Sequence, residues 1–400
     1  MCARHEDFIM SKTAIATAII NEAHLVEIRE RRRSVSEWMG VLAETTKRYT
    51  NGEIDRAGKV LSSLTVTSKE QESHAMEVMD NWRLSHAYPM DVARMTLEDR
   101  AKTISHNPTF GTRLKTESSI RSKLKREGKM QLSSMQDIGG CRVILRDMDE
   151  VNNLLKLYAD DRNVKITDYV ATPRVSGYRG KHIIWSFESS DERYASYNRM
   201  RIEVQVRTEL QHSWATAIEV CSTFTDQNLK SDHPVCKDPR WVRFFAVMGS
   251  AMALAEGGGP VRDTPLSKTK LLGELRELTE ALKVTEIMKR WNTATEIISS
   301  KRDTHAHNFL IELQAFDHFR ARVNVTAYEK GREQEAAKNR LLRETEARNK
   351  MGVQVALVGV QSIDTLKTAY PNYFSDTTRF VKEVEIACKG TLASFPISTD

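Results

Sequence analysis

Two acids and a row of cations in the middle of this 400-residue chain have the types and order that chemistry on phosphate requires. Asp137 stands just before Gly139-Gly140-Cys141-Arg142. Glu203 lies in Arg201-Ile-Glu-Val-Gln-Val-Arg207, where Ile202, Val204 and Val206 alternate with Glu203, Gln205 and Arg207. That alternation predicts a half-buried strand with Glu203 on its polar face. Strands of one sheet lie about 5 Å apart, so acids on neighbouring strands can share one hard cation. Magnesium takes one or two protein carboxylates and fills its shell with water and substrate phosphate, which matches this short ligand supply. Singly, each acid also reads as a surface charge or a turn cap.

Arg113, Lys115, Ser119 and Lys123 fall at spacings of two, four and four. A helix entered near Ser118 puts Ser119 and Lys123 on one face, with Arg113 and Lys115 approaching from the preceding loop. Lysine offers a point charge and arginine a planar fork that grips phosphate or stacks on a base. Lys125, Arg126 and Lys129 extend the charge, although a basic helix alone is usually a solvated face. A third cluster follows Asp168-Tyr169, with Arg174 and then Gly177-Tyr178-Arg179-Gly180-Lys181-His182. Gly177 permits a turn that sets the Tyr178 ring beside a ligand, where it offers a stacking face for a purine. Arg174 and Arg179 flank it, and His182 opens a strand from which it can donate to phosphate or orient a hydroxyl. Together the clusters suit a magnesium-dependent reaction on a nucleotide.

The elements that must hold these residues read as α+β. Residues 13–100 are expected to be helical, with 3.6-type spacing at Ala57–Leu64 and Gln71–His86 and a solvated charged run at Glu27–Arg33. Strands are expected at Cys141–Leu145, Val164–Val170, His182–Phe187 and Arg201–Arg207, with helices at Met148–Ala159 and Glu209–Thr223. Trp241–Leu254 reads as an apolar helix, Gly257-Gly-Gly-Pro260 as a break, and Leu266–Ser299 as one long charged helix. Beyond His307 a separate small unit is expected. It comprises a hairpin (Phe309–Leu313 with Ala321–Thr326), a helix (Glu329–Lys350), a strand (Val353–Val360) and a final helix (Ile363–Ala369). Tyr370-Pro-Asn-Tyr-Phe374 reads as a turn. The domain reading is therefore a helical region at 1–97, a mixed-sheet domain at 98–225, a helical extension at 226–303 and a small α/β module at 304–400.

Composition excludes little but points one way. Forty per cent hydrophobic and 28% charged residues describe a folded chain, not a disordered one. The formal charge of +6 leans weakly toward anionic partners. Cys2, Cys141, Cys221, Cys236 and Cys388 form no C-x-x-C pair, which suggests a reducing compartment and no structural zinc. The apolar run Thr13–Ile20 ends at Asn21 and Glu22, too soon for export or a membrane span, so a cytoplasmic location with no membrane partner is expected.

In order and approximate spacing, the blocks from Arg113 to Glu219 resemble the synthetase domain of RelA/SpoT nucleotide pyrophosphokinases, over roughly residues 98–225. The resemblance implies a nucleotidyltransferase-like sheet. It also implies Mg²⁺-dependent transfer of the β,γ-pyrophosphate of ATP to the ribose 3′-hydroxyl of GDP or GTP, making (p)ppGpp. Carried over by position, Arg113 and Arg142 would sandwich the ATP adenine, and Lys115, Ser119 and Lys123 would bind its phosphates. Asp137 and Glu203 would hold the metal, and Glu203 would also activate the attacking hydroxyl. Tyr178 would stack on the acceptor base, with Arg174, His182, Gln205 and Arg207 around it. The chain departs from the family pattern at Thr167, Arg174 and Gly180-Lys181, the last two on the acceptor side. It contains no His-Asp dipeptide, so the hydrolase of the long bifunctional relatives is not expected, and its length leaves no room for their ribosome-binding tail. An alternative keeps the donor half and changes the acceptor. It is a toxic small synthetase modifying the 3′ end of tRNA, with the module after residue 300 neutralising it or sensing phage. A catalytically dead binding module is a third reading, and self-association is expected by analogy with small relatives.

Overall fold

The computed structural model describes residues 45–63, 68–227, 229, 237–300, 306–329, 331–348, 350, 352–360 and 362–391. The runs Thr13–Ile20 and Glu27–Arg33 lie outside the described residues. Three helices come first: α1 (Asn51–Ser62), α2 (Lys69–Ser85) and α3 (Ala87–Lys102). Thr50 and Ser68 start α1 and α2 with reciprocal capping boxes to Glu53 and Gln71. No helix among the described residues is long and apolar enough to cross a membrane.

The centre of the chain alternates strands and helices. They are β1 (Thr109–Leu114), α4 (Glu117–Arg126), β2 (Gly139–Leu145), α5 (Met148–Lys156), β3 (Val164–Asp168), β4 (Lys181–Ser186), β5 (Arg201–Thr208) and α6 (Glu209–Thr225). Then come α7 (Pro239–Ala255), α8 (Lys268–Leu282), α9 (Val284–Ala294), β6 (Thr295–Ser300), β7 (Ala306–Ala315) and β8 (Ala321–Glu329). The described chain closes with α10 (Glu333–Ala347), β9 (Val353–Gly359), α11 (Ile363–Ala369), a 3₁₀ turn (Pro371–Phe374) and α12 (Thr378–Cys388).

The nine strands among the described residues form one mixed sheet in the order β3-β4-β5-β2-β1-β9-β7-β8-β6. The class is α+β, as expected. The C-terminal strands join this same sheet, with β9 adding to the edge of β1. That seam is narrow, with two paired positions, Thr112 with Gly359 and Arg113 with Val358. Two expectations fail, and one helix is unforeseen. Thr109–Leu114 is a strand, so Arg113 sits on the sheet and not in a loop. The helix expected over Leu266–Ser299 breaks at Lys283, whose φ of 50° is left-handed, and ends in β6, where Ile297 and Ile298 favour extended backbone. Helix α12, which had no expected counterpart, packs Phe380, Val381 and Val384 into the core.

The sheet sorts its side chains by period two. Cys141, Val143 and Leu145 of β2, Ile183 of β4, and Ile202, Val204 and Val206 of β5 pack with Met90, Leu97 and Val151 of α3 and α5 on one face. The alternate residues, Arg113, Arg142, His182, Glu203, Gln205 and Arg207, therefore belong to the other face. There α6, α7 and the C-terminal segments build the larger core. The parallel β2–β5 register sets Gly140 beside Glu203 and Arg142 beside Gln205, and β4 sets His182 against Gln205.

One loop depends on glycine. Gly177 has φ +94°, and a Cβ there would lie 2.5 Å from the Phe245 carbonyl oxygen. Gly249 of α7 faces it, where a Cβ would meet the Gly177 oxygen at 2.7 Å. Gly177→Ala or Gly249→Ala should each cost about 1–3 kcal/mol from overpacking, Gly177→Ala more because of its positive φ. Thermal denaturation reads this, and an unchanged Tm would contradict the close helix–loop contact.

Candidate active site

The cationic side of the site is built from the end of β1 and the start of α4. Thr116 caps α4 by accepting from the Ser119 amide at 3.3 Å, which fixes the helix start one residue before its expected place. Ser119 and Lys123 then share a face. The amide of Lys115 donates to the Ile138 carbonyl at 2.8 Å, drawing the strand end against the segment that carries Asp137. The ammonium groups of Lys115 and Lys123 reach the two Asp137 oxygens at 2.6 and 3.0 Å. Burial alone would raise the pKa of Asp137, but Lys115 and Lys123 together outweigh it, and the carboxyl stays below its usual range despite Glu203 nearby.

Glu203 is the second acid. His182 Nδ1 lies 3.0 Å from Oε1, and the Gln205 amide donates to Oε2 at 2.8 Å. Burial again works toward protonation, but the His182 contact, the Gln205 bond and Lys115 hold Glu203 well below the carboxylate range. Lys115 therefore acts electrostatically on both acids, and the two carboxylates face one cationic centre. Among the described residues no group of three or more His, Cys, Asp or Glu could hold a metal. Two oxygen-donor acids are present, and the Lys115 ammonium already lies against one of them as a cation. This donor set fits a magnesium ion that completes its shell with substrate phosphate and water.

Gln205 links the two halves. Its Oε1 accepts from Arg207 at 2.9 Å and from Arg142 at 3.4 Å, while its amide serves Glu203. Arg207 also donates to the Tyr178 hydroxyl at 3.0 Å, and that hydroxyl lies 2.6 Å from His182 Nε2. Burial lowers the His182 pKa, but Tyr178 and Glu203 overcome it and raise it to about 9. Burial would raise Tyr178, but Arg207 and His182 bring it down to about 8.

The Tyr178 ring is only 9% exposed and leans on Trp214, with centroids 6.2 Å apart. Tyr169 stands edge-on to it at 5.7 Å and is the more accessible ring. Arg174 lies 4.7 Å from the Tyr169 ring and donates to its hydroxyl at 2.9 Å. Nothing in the sequence around Asp168-Tyr169 marks this ring, since its partners are set by the fold.

A second set of unforeseen contacts lies over the arginines of β1 and β2. Arg142 donates to the Ala369 carbonyl at 2.8 Å, and its guanidinium lies 5.2 Å from the centre of the Tyr370 ring. Arg113 donates to the Tyr373 hydroxyl at 3.1 Å. The Tyr370 ring lies so close to β1 that a Cβ on Gly111 would fall 2.8 Å from it. Burial and the neighbouring Arg207 lower Arg142 to about 10. Two tyrosines three residues apart on the turn after α11 thus cover both arginines. The Tyr-x-x-Tyr spacing was visible in the sequence, but its target was not.

The His182 pKa gives a pH signature. Because it is raised above the ordinary value of about 6.5, its ion pair contributes stability that is complete below about pH 6.5 and lost as pH rises through about 9. In Glu203→Gln the His182 ring titration, followed by NMR, should fall by one unit or more and the alkaline loss of stability should flatten. An unmoved titration would contradict the His182–Glu203 pairing.

A family profile described as "Region found in RelA / SpoT proteins" matches residues 112–227. The chain is 32% identical over 171 residues to the GTP pyrophosphokinase YwaC of Bacillus subtilis (strain 168), covering 38% of this chain and 79% of that one. It is 29% identical over 109 residues to GTP pyrophosphokinase YjbM of the same organism, covering 26% and 51%. Among solved structures, the B. subtilis small alarmone synthetase 1 bound to its product pppGpp matches at 23% identity and TM-score 0.29, over 35% of this chain and 80% of that one. A GTP pyrophosphokinase family protein from Streptococcus pneumoniae matches at 20% identity and TM-score 0.32, over 48% and 93%. Likeness at these scores is slight, and the family assignment rests on the sequence match to YwaC. With 32% identity to YwaC across 79% of that protein, and the profile match at residues 112–227, this chain belongs to the RelA/SpoT family and is a pyrophosphokinase.

Proposed function

We propose that the chain transfers the β,γ-pyrophosphate of ATP to the ribose 3′-hydroxyl of GDP or GTP. The observation that carries this reading is the pair Asp137 and Glu203 around the Lys115 ammonium, on the sheet face that also presents Arg113 and Arg142. Arg113 and Arg142 offer planar cations for the adenine, and Lys115, Ser119 and Lys123 take the donor phosphates. Tyr178 and Tyr169 offer rings to the acceptor base, with Arg174, His182 and Arg207 as its cationic surroundings.

Asp137 and Glu203 would hold Mg²⁺, which supplies charge neutralisation for the developing pyrophosphate charge. The protein's own part is positioning and electrostatics, as in phosphoryl transfer generally. Glu203 is kept ionised by His182 and Gln205, so it can accept the proton of the 3′-hydroxyl as the oxygen attacks the β-phosphorus and AMP departs. General-base assistance of this kind is worth about 10²–10⁴-fold. Glu203→Gln should abolish transfer from γ-labelled ATP to GDP while nucleotide binding persists. Full activity in that variant, or label passing to the 3′ end of deacylated tRNA in preference to GDP, would overturn this reading of the base or of the acceptor.

We also infer that the C-terminal module restrains this activity. Tyr370 and Tyr373 lie on the guanidinium groups that the adenine needs, so donor binding requires the Tyr370–Phe374 turn to leave. The full-length Tyr370→Ala/Tyr373→Ala chain should therefore bind ATP and turn it over at least tenfold better than the parent. Equal rates would remove the restraint.

A further inference from the structure

Arg83, on α2, is 1% exposed and lies outside the family-matched region. Its Nε donates to the Lys115 carbonyl at 2.9 Å. Its Nη1 donates to Asp80 at 2.9 Å and to Glu344 at 3.0 Å, and its Nη2 donates to the other Glu344 oxygen at 2.9 Å. Glu344 belongs to α10 of the C-terminal module, and Arg340 of the same helix stands 3.9 Å from it. Beside this group, Glu117 at the start of α4 pairs with Arg121 at 3.1 Å and with Arg348, just after α10, at 3.0 Å. The cluster thus joins three pieces of the chain: the N-terminal helix, the donor helix and the module.

Buried ion clusters are poor sources of net stability, because desolvation offsets most of the attraction. Apolar packing would join these helices as well. What apolar packing would not supply is a donor for the Lys115 carbonyl. Lys115 lies past the end of β1, before α4 begins, so neither of its backbone groups has a partner within a regular element. Its amide goes to Ile138 and its carbonyl to Arg83, and its ammonium then reaches Asp137. The bidentate Glu344 fork sets the plane of the Arg83 guanidinium, leaving Nε aimed at Lys115. Without Glu344, only the Asp80 contact within the same helix would remain to orient it.

We propose that Arg83 is a positioning residue for the donor-phosphate lysine Lys115, and that Glu344 of the C-terminal module sets Arg83 for that task. The module then contributes to donor binding at one attachment while covering the donor arginines at another. This rests on the reading that Lys115 binds ATP phosphate. Displacing a phosphate-binding amine by about 1 Å costs far more than the exposure of the distant residues would suggest.

The test uses the full-length Tyr370→Ala/Tyr373→Ala chain, in which the donor arginines are uncovered. Calorimetric binding of α,β-methylene ATP and steady-state kinetics are measured for Glu344→Gln, Arg83→Lys, their combination, and Arg348→Gln. Glu344→Gln and Arg83→Lys should each weaken analogue binding and raise the KM for ATP about tenfold, with the acceptor KM within twofold. The combination should be no weaker than the worse single change, because both act through one contact. Arg348→Gln, which touches Glu117 and not Lys115, should lower Tm and leave analogue affinity within twofold. Equal losses for donor and acceptor, additive losses, an equal donor loss in Arg348→Gln, or no donor loss would each overturn the proposal. Should Arg83→Lys fail to fold, Glu344→Gln alone decides, since it keeps shape and removes charge. Analogue binding without transfer would sink the proposed reaction and leave Arg83's role intact. A parent that binds no analogue would sink the donor-site reading and this inference with it.

Discussion

Two carboxylates that face each other in a buried site repel, and ordinarily one of them takes a proton. Asp137 and Glu203 escape this because cations are placed against each. Lys115 and Lys123 hold Asp137, His182 holds Glu203, and Lys115 acts on both. Much of the surrounding architecture keeps those cations where they are. The β2–β5 register brings the acids to one end of the sheet, Thr116 starts the donor helix, and the Ile138 and Arg83 contacts fix Lys115 outside any regular element. A divalent ion arriving with ATP would meet acids that are already ionised, with an ammonium to displace and no proton to remove.

The second constraint is the shared sheet. Strand β9 adds to β1 at Arg113 itself, so the C-terminal module is attached beside the proposed donor site and not to a remote surface. A two-position seam is a weak joint, since β7 and β8 pair along nearly their whole length. The contacts that reinforce it are side-chain ones, the tyrosines on Arg113 and Arg142 and the buried charges around Arg83. On the proposed reading, the tyrosine contacts are the ones a nucleotide would have to replace. The cleft of about 600 Å³ between α2 and α10 lies beside the Arg83 cluster and away from the acids, and size alone would have misplaced the chemistry.

The legible parts of this protein are those with a period. Ile202, Val204 and Val206 alternate with Glu203, Gln205 and Arg207, and that pattern alone gave both the strand and the face. Lys123 and Ser119 followed from helical spacing. Strand β1 was hidden because Thr109–Leu114 reads as a polar link, and its place is set by pairing with β2 and β9, which are distant in sequence. The break at Lys283 turns on one left-handed residue of a type that seldom adopts that shape. Tyr370 and Tyr373 looked like a turn because they are one. Their task comes from where the sheet seats them, against arginines more than 200 positions earlier. Arg83 was just as silent, being one charge among many on an amphipathic helix until Lys115 and Glu344 arrive around it.

The central claim is that Asp137 and Glu203 share a divalent ion only when a triphosphate is present. Mn²⁺ binding to the full-length Tyr370→Ala/Tyr373→Ala chain, read by electron paramagnetic resonance with and without α,β-methylene ATP, tests it directly. Tight binding should require the nucleotide and be lost in both Asp137→Asn and Glu203→Gln. Tight Mn²⁺ binding without nucleotide, or binding that survives either substitution, would contradict the shared site.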